Sequence, residues 1–476
     1  MHYNLLLLFL FSTLFSQSIS YSKDEILAFA FSNSEKLKQI EAEVKKTESI
    51  RKEYNGKALP TIEGNAGYQY AFQQVPLALD MSSLSSVNFT NSLTGTPTAN
   101  EQIIAGTLDG MLSKLSSTEL LLPKNSLSFG LSLYQPIFAQ GKVITGIKIA
   151  KIYEQTMAQK YRDAQFQLAE AITVQYDQTL IAQKNVAIQQ EALTLAQKTH
   201  STALMRFNTG KGSSLDTLNS RFDVQKALYT KRDADKKYRL ALQQLFTTAA
   251  IDRDPLTATL SDTLVTTDFS LSYEQAEQLM LQNNSTIILL NLAQELQEKM
   301  TTLSKTSFFP SLVAGASIAK VSQFDGGDNL NWHNDGKLFA SLNVPIFSGT
   351  QRFQKVKQAR FDEDKIREKR SDVIRQLKLA LRASFEEYAV AQAELKQTAE
   401  LKELSKEGFR VSSLSFEVGQ ITQLDLSKSQ QQYNQAQLAY YNALYTLEKA
   451  TTKIKRLIGD TSLISMAASE DTYETN

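Results

Sequence analysis

The sequence predicts a mixed α and β membrane protein in which very long helices alternate with short amphipathic strands. Three observations predict this fold class. All 8 prolines lie outside six long runs that are rich in helix-forming residues. Four segments of roughly ten residues alternate apolar and polar side chains, as half-buried strands do. Most of the chain also consists of two similar copies, in which matching motifs are separated by fixed numbers of residues.

The N-terminus predicts a signal peptide over residues 1–20. The stretch from Leu5 to Phe15 is mostly apolar but too short to cross a bilayer, and small and polar residues follow it. We expect cleavage near Ser18 or Ser20, and therefore export of the mature chain.

Composition excludes several kinds of chemistry. The chain has no cysteine, which excludes disulfides, thiolate metal sites and a lipid-carrying N-terminal cysteine. Its 51 Lys and Arg residues balance 50 Asp and Glu residues, so no basic field for nucleic acid is expected. The three histidines (His2, His200, His333) are scattered. We therefore expect no catalytic site, no metal site and no cofactor.

The proline-free runs predict six helical regions. They lie at 23–57, 142–206, 214–246, 273–307, 351–415 and 423–458. Apolar residues in the second run recur at spacings of three, four and seven, which is typical of a coiled-coil seam. At ~1.5 Å per residue, the runs 142–206 and 351–415 would each extend about 98 Å. Helices of this length need parallel neighbours along their whole length.

Alternation predicts four strands, at 61–73, 126–138, 311–321 and 337–347. Each is long enough for a tilted strand that crosses a bilayer. A soluble hairpin with one buried face gives the same local pattern, but the chain offers these strands no other core. Four strands cannot close a membrane barrel, since the smallest have about eight. We therefore expect several copies of the chain to close it.

The chain contains two copies of one plan. Pro136-Ile137-Phe138 returns 209 residues later as Pro345-Ile346-Phe347. Three earlier residues (Ser22, Asn33, Pro60) return 250 residues later as Ser272, Asn283 and Pro310. The difference between the two distances predicts a 41-residue insertion in the first copy. It corresponds to a loop at about 74–125, in which spaced apolar residues predict a short amphipathic helix.

The repeat defines the expected organisation of the mature chain. The first structural repeat covers 21–246 and the second covers 272–458. The segment 247–271 between them is expected to be a linker or equatorial segment, and 459–476 a C-terminal tail.

Two similar turns follow the two longest helical runs. RFNTGKGSSLDTLNS (206–220) and SFEVGQITQLDLSKS (415–429) share Phe, Gly, Leu, Asp and Ser at matching positions. Gly210 and Gly419 suit the left-handed conformation that ends a helix. Asp216 and Asp425 each follow a Ser or Thr by three residues, as in the capping box that starts a helix. Helix capping is sufficient to explain both aspartates, and a functional role can coexist with it.

Taken together, these features resemble the TolC family of outer-membrane efflux proteins. The resemblance rests on the duplicated helix and strand plan, the two Pro-Ile-Phe motifs and the two Gly-centred turns, and it covers nearly the whole mature chain. It implies a homotrimer. In that assembly a long-helix α-barrel, a coiled-coil-like periplasmic tunnel, is continuous with a transmembrane β-barrel to which each chain gives four strands.

The resemblance implies a transport function and no enzyme activity. We expect the exit duct of a multicomponent efflux or type I secretion system, which conducts substrates passively from the periplasm or an inner-membrane pump to the exterior. The implied partners are a periplasmic adaptor (membrane fusion) protein, an inner-membrane transporter of RND, ABC or MFS type, and outer-membrane lipid. The implied location is the outer membrane of a Gram-negative-type envelope, with a periplasmic extension.

Two other classes of protein remain as alternatives. One is a surface-exposed coiled-coil protein with a structural or adhesive role, although a fibre would not need strand pairs between its helices. The other is a secreted enzyme, which the missing His, Cys and metal constellations disfavour.

The resemblance also implies positions for a periplasmic gate. Asp425 matches the first acid of a ring that narrows the tunnel, but the second acid of that ring is replaced here by Lys428. Phe416 matches the gate aromatic, and Asp216 is the matching acid of the first turn. The hairpin tips are implied to dock the adaptor, through Gly210, Lys211, Gly212, Gly419, Gln420 and Ile421.

Overall fold

A computed structural model of the chain describes residues 19–72, 76–77, 87–93, 97–116, 120–121, 123–254, 258–264, 269–325 and 330–464. The expected signal peptide lies outside these residues up to position 18, as does most of the expected C-terminal tail. The chain divides into two compact units. The helical unit comprises 1–52, 147–304 and 353–476, and the strand unit comprises 53–146 and 305–352.

The described helices follow the expected order. They are α1 Lys23–Asn33, α2 Glu35–Gly56, α3 Ala99–Ser116, α4 Lys142–Asn208, α5 Ser214–Thr248, α6 Tyr273–Asn283, α7 Ser285–Thr306, α8 Gln351–Glu417 and α9 Gln423–Ile458. The two longest, α4 and α8, have 67 residues each, or about 100 Å at the usual rise of an α-helix. Helix α3 lies inside the insertion. Within the described residues, no helix combines the length and apolar character that crossing a membrane requires.

We expect one helix in each of the runs 23–57 and 273–307, but each run forms two helices. Ser34 and Asn284 leave the helical conformation between them, with ψ 117° and 123°. The Asn284 Oδ1 atom accepts the backbone N–H groups of Thr286 and Ile287 at 3.0 and 3.3 Å, so that it caps the new helix. Polar side chains of this kind compete with the helical backbone for hydrogen bonds. The break therefore needs no proline, which is why proline placement did not reveal it.

The helical unit contains the same buried core twice. The first core packs α1 against the middle of α4 and the end of α5, and the second packs α6 against α8 and α9. Five positions are buried in both: Ile26, Ala30, Ile172, Leu245 and Ala249 in the first, and Ala276, Met280, Leu381, Ile454 and Ile458 in the second. Corresponding residues of the two cores lie 250 residues apart in α1 and α6. They lie 209 residues apart in the hairpins α4–α5 and α8–α9. The duplication seen in sequence motifs is therefore also a duplication of packing.

Left-handed residues recur at the same spacing. Ala250, two residues beyond the end of α5, has φ 55°, and Gly459, directly after α9, has φ 67°. In both, the next residue donates its N–H back to a carbonyl at 2.9 Å, Ile251 to Phe246 and Asp460 to Lys455. The first copy therefore places an alanine where the second has a glycine, although a Cβ disfavours this conformation.

Asp177 in α4 is an almost fully buried acid. Its carboxylate lies 2.9 Å from the Lys23 ammonium. Burial raises the pKa of Asp177 to about 6, and the nearby negative charges of Glu448 and Asp262 act in the same direction. The Lys23 charge opposes these effects without cancelling them.

The strand unit contains an antiparallel sheet of four strands, β2 Thr61–Tyr70, β5 Asn125–Ala139, β7 Ser311–Phe324 and β8 Trp332–Asn343. They lie side by side in the order β2-β5-β7-β8. The shorter strands are β1 Ile19–Tyr21, β3 Pro76–Leu77, β4 Leu120–Leu121 and β6 Ala258–Leu260, of which β1 pairs with β6 and β3 with β4. The β1–β6 pair belongs to the helical unit, and β6 lies within the expected linker.

The two hairpins of the sheet have the same register. Thr61 lies opposite Tyr134 in the pair β2–β5, and Ser311 lies opposite Asn343 in the pair β7–β8. These partners are again related by 250 and 209 residues. Paired residues share a face, so one face is mainly apolar and the other carries mostly small and polar side chains.

The last strand differs most from expectation. We expected 337–347, whereas β8 begins at Trp332 and ends at Asn343. Pro345-Ile346-Phe347 therefore lies outside the sheet, although the matching Pro136-Ile137-Phe138 lies inside β5. The reason is that β5 has neighbours on both sides, and its last residues pair with β7. Strand β8 pairs only with β7, and Ser311, where β7 begins, already lies opposite Asn343.

The other strand bounds differ from expectation by one to three residues. Strand β2 ends at Tyr70 instead of 73, β5 covers Asn125–Ala139 instead of 126–138, and β7 continues to Phe324 instead of 321.

The left-handed alanine gives a stability prediction. Replacing Ala250 by glycine removes the Cβ that opposes φ 55°, so the free energy of unfolding should rise by up to about 1 kcal/mol. The matched control is Ala393→Gly, an exposed position within α8, where the same change should cost about 1 kcal/mol. Melting temperatures in detergent should move in opposite directions. A loss of stability in both variants would contradict the assignment at Ala250.

The buried acid gives a pH prediction. Because the folded pKa of Asp177 lies above its unfolded value, its stabilising contribution is present below about pH 4 and is lost as pH rises through about 6. Asp177→Asn should remove this loss, worth about 3 kcal/mol per chain for a two-unit shift. Melting temperatures at pH 4.5 and 7.5 should therefore differ less in the variant than in the wild type.

The control for this measurement is Asp233→Asn. Asp233 forms an exposed ion pair with Lys237, and a hydrogen bond from that lysine lowers its pKa. Its contribution is present at neutral pH and lost as pH falls, so the sign of the effect should be reversed. A pH dependence of the melting temperature that is unchanged in Asp177→Asn would show that this carboxylate does not cause the loss of stability at higher pH.

Candidate functional site

The turn between α4 and α5 is a tight, glycine-centred helix end. Gly210 has φ 71°, and the backbone N–H of Lys211 donates to the carbonyl of Arg206 at 2.8 Å. The Gly210 N–H donates to the carbonyl of Phe207 at 3.0 Å. This is the pattern of a Schellman motif, which satisfies the last carbonyls of a helix and requires a left-handed residue.

The turn between α8 and α9 repeats this geometry. Gly419 has φ 82°, and the N–H of Gln420 donates to the carbonyl of Ser415 at 2.8 Å. A Cβ at either Gly210 or Gly419 would have no atom within 4 Å. The need for glycine at these positions is therefore conformational and not steric.

Both aspartates of the turns cap the following helix. The Asp216 N–H donates to the Ser213 Oγ at 3.1 Å, and the Asp425 N–H donates to the Thr422 Oγ1 at 3.2 Å. In return, each carboxylate accepts the backbone N–H of its cap residue, at 3.3 and 3.2 Å. The expected capping boxes are therefore formed in both turns.

The Asp425 carboxylate accepts one hydrogen bond more than the capping box provides, and this favours its ionised form. The Thr422 hydroxyl also donates to its Oδ2 at 2.7 Å. The hydrogen bonds from Thr422 lower the pKa of Asp425, and the charge of Lys428 makes a smaller contribution in the same direction. The pair therefore carries opposite charges at neutral pH, which partly cancel at the tip of this hairpin.

The structure brings the two turns into contact within one chain. The Arg206 guanidinium lies 5.3 Å from the centre of the Phe416 ring and donates to the Phe416 carbonyl at 3.5 Å. Lys198 forms an ion pair with Glu417 at 3.3 Å, and Gln423 donates to Asp223 at 3.2 Å. These contacts join the first hairpin, α4–α5, to the second, α8–α9, close to the turns. Further along the helices, Arg456 of α9 also forms an ion pair with Glu170 of α4.

Arg206 is the residue that sequence reasoning missed. The position 209 residues later is Ser415. The two otherwise similar turns therefore differ at the residue whose side chain contacts Phe416. A comparison of the copies for their differences would have drawn attention to Arg206. Its contact with Phe416 could not have been found in this way, because local patterns contain no information on long-range partners.

The tips present exposed groups around these contacts. Gly210, Lys211, Gly419 and Gln420 are exposed, and Gly212 and Ile421 are half-buried. The gate candidates Asp216, Asp425 and Lys428 are exposed, whereas Phe416 is half-buried beneath Arg206. Large apolar side chains are also exposed nearby, namely Leu215, Leu218, Phe222, Val418 and Leu424. Apolar side chains with polar neighbours on one surface are typical of protein-binding sites.

Comparison with known proteins gives the class of the chain. The family model described as outer membrane efflux protein matches residues 107–250 and 276–460. The chain belongs to this family, whose members are channels and not enzymes, and it is an outer-membrane efflux protein. The family match confirms the resemblance seen in the sequence. None of the curated proteins matches the chain.

Solved structures of outer-membrane channels share the fold. The Campylobacter jejuni CmeC outer membrane channel is 15% identical, with 94% of this chain and 90% of that chain covered and a TM-score of 0.70. The Vibrio cholerae outer membrane protein VceC is 13% identical, with 92% and 96% covered and a TM-score of 0.67. The open state of the Neisseria gonorrhoeae MtrE outer membrane channel is 14% identical, with 92% and 88% covered and a TM-score of 0.62.

Proposed function

We propose that this chain is one subunit of a homotrimeric exit duct in the outer membrane. The observation that carries the proposal is the four-stranded sheet, which has one mainly apolar face, one polar face and two open edges. An apolar face suits lipid and a polar face suits a water-filled lumen. Three copies would give a barrel of twelve strands, which is within the range of membrane barrels.

The long helices support a second part of the proposal, a helical tunnel on the periplasmic side. Each chain supplies two hairpins of long helices that already pack on each other within the chain. Together with the short helices, three chains would surround a tunnel in the manner of an α-barrel. The duct would conduct its cargo passively, as befits a family whose members are channels and not enzymes.

We place the gate and the docking surface at the two turns. The narrow entrance would be lined by Asp425, Lys428, Phe416 and Asp216. The contact between Arg206 and Phe416 would help to hold the two hairpins together in one state. The exposed tip residues would dock a periplasmic adaptor, which would connect the duct to an inner-membrane transporter of RND, ABC or MFS type. The system would serve multicomponent efflux or type I secretion.

A test of the tips uses the two glycines. Gly210→Val and Gly419→Val introduce a β-branched residue where φ is positive, so the turns should be distorted while the sheet is unaffected. We expect normal amounts of protein in the outer membrane but reduced export, measured as increased cellular accumulation of a panel of fluorescent pump substrates. The matched control is Gly408→Val. Gly408 lies in α8 near the tip, its φ is not positive, and a Cβ added there would meet no atom within 4 Å.

Export that is equal in all three valine variants and the wild type would contradict the proposed role of the tips. A defect in Gly408→Val as large as in the tip variants would assign the effect to the helix and not to the turns.

A test of the gate uses its mixed charges. Lys428→Asp would replace three positive by three negative charges in a trimer, so cation selectivity in planar bilayers should increase. The increase should be clear at low salt and fade near 1 M, where the Debye length falls to ~3 Å. Lys449→Asp is the control, because it makes the same change about 30 Å further along α9. Selectivity that is unchanged in Lys428→Asp at low salt would exclude Lys428 from the gate and leave Asp425 with its capping role only.

A further inference from the structure

Two large aromatic side chains lie on the polar face of the sheet. Paired residues share a face, and one row across all four strands contains Thr61, Tyr134, Gly315 and Phe339. The Tyr134 and Phe339 rings meet edge to face, with centroids 5.7 Å apart and 61° between their planes. Both side chains stay partly exposed, at 37% and 38%. The outer surfaces of the two rings are therefore open to a ligand.

Gly315 makes this arrangement possible. It lies between the two aromatic residues in the same row, and a Cβ added there would overlap the Phe339 ring. The absence of a side chain on β7 thus leaves space for the Phe339 ring to approach Tyr134. Covering a strand glycine in this way is a structural role that needs no ligand, since a glycine has no side chain to pack.

The aromatic pair is a departure from the repeat. Under the distance of 209 residues, Phe339 corresponds to Gly130 of the first copy. Under the same distance, Tyr134 corresponds to Asn343 of the second copy. The strand plan that both copies share therefore does not require an aromatic residue at either position.

A carboxylate lies beside the two rings. The next row of the polar face contains Glu63, Ser132, Ser317 and Lys337. The Lys337 ammonium is paired with the Asp335 carboxylate of the same face at 2.7 Å.

Glu63 therefore leaves the polar face of the described strands with a net negative charge when His333 is neutral. Glu63 is the diagonal neighbour of Tyr134, because Thr61 lies opposite that tyrosine. Diagonal residues lie about 7–8 Å apart, within reach of aromatic and long side chains.

We infer that Tyr134, Phe339 and Glu63 form a lumen site that binds organic cations carrying an aromatic ring. The face of an aromatic side chain attracts a cation, and the carboxylate adds a charge of the opposite sign. The ring of such a ligand would stack on the exposed aromatic surfaces. The inference rests on the proposed duct, in which the polar face lines the lumen, and it adds a class of cargo.

The size of the proposed barrel determines what binding would do to a current. Twelve strands at about 4.8 Å spacing and a tilt of about 40° give a diameter of roughly 24 Å between backbones. A cation bound to the site of one subunit would leave part of this lumen open to small ions. Binding should therefore reduce the current through the duct without ending it.

Single-channel currents in planar bilayers test the site, with ethidium as the aromatic cation. Tetraethylammonium carries the same charge without a ring and should block the wild type only at higher concentrations. Phe339→Leu keeps an apolar side chain over Gly315 but removes the ring. The ethidium concentration that gives half-maximal block should therefore increase about tenfold. The corresponding concentration of tetraethylammonium should stay the same.

Two further variants separate the charge from the ring. Glu63→Gln should increase the half-blocking concentrations of both cations by about threefold, because it removes an exposed charge and leaves the rings. Phe339→Tyr keeps a ring and should be blocked by ethidium like the wild type.

The matched control is Phe129→Leu. Phe129 contacts Trp332 with ring centroids 5.7 Å apart, but these residues lie on the apolar face of the same sheet. Loss of this ring should leave the ethidium block unchanged. If Phe339→Leu forms no pore, Tyr134→Leu takes its place with the same expected increase.

The outcomes separate the site from the duct. A wild-type protein that forms no conducting pore would overturn the proposed duct and this inference with it. A conducting pore whose ethidium block is unchanged in Phe339→Leu would overturn the inference alone and leave the rings with the role of covering Gly315. An equal loss of block in Phe129→Leu would also overturn the inference, because the effect would then belong to the sheet as a whole.

Discussion

The packing of short helices onto the long ones is the constraint on which the rest of the structure depends. Ile26 on α1 and Ala276 on α6 are fully buried against the long helices, with Ile172 and Leu381 as their counterparts at mid-helix. Close-packed positions of this kind tolerate no shift along a helix, because a shift of one residue turns the buried side chain away from the core. The two copies can therefore differ in length only where neither core is involved. The 41 additional residues of the first copy lie between Pro60 and Pro136, which belong to the strand unit, whereas both cores belong to the helical unit.

Much of the helical architecture follows from local rules, and the exceptions have local or long-range causes. Proline placement and helix-forming residues predict the long helices, and glycine with a capping box predicts their turns. The breaks at Ser34 and Asn284 were missed because one polar side chain can end a helix without proline or glycine. The early start of β8 at Trp332 was missed because its N-terminal half is polar, and pairing with β7 outweighs its weak strand pattern. The contact of Arg206 with Phe416 depends on the packing of two hairpins, which no local pattern records.

The two turns show how helix capping fixes the position of a charged side chain. The carboxylate of Asp425 is fixed by Thr422, so its position relative to the helix axis is determined by capping geometry and not by a mobile side chain. A charge placed in this way is pre-organised for any role at an entrance. The two turns are not equivalent. Arg206 of the first turn contacts the second turn, whereas the matching position of the second turn is Ser415. Duplication gives both hairpins the same turn geometry, and the difference between Arg206 and Ser415 gives the first turn a contact that the second cannot make.

The two open edges of the sheet are different from one another, and this has a consequence for how copies could add. A pairing between β8 and β2 is heterologous, because each copy uses one surface to accept a neighbour and another to be accepted. Heterologous contacts form a closed ring only if the rotation from one copy to the next divides the circle, and otherwise they continue as an open polymer. Bulges such as the one at Ile137 bend a strand and increase its twist. Sheet curvature, and not the strength of the pairing, would then fix the number of subunits in the ring.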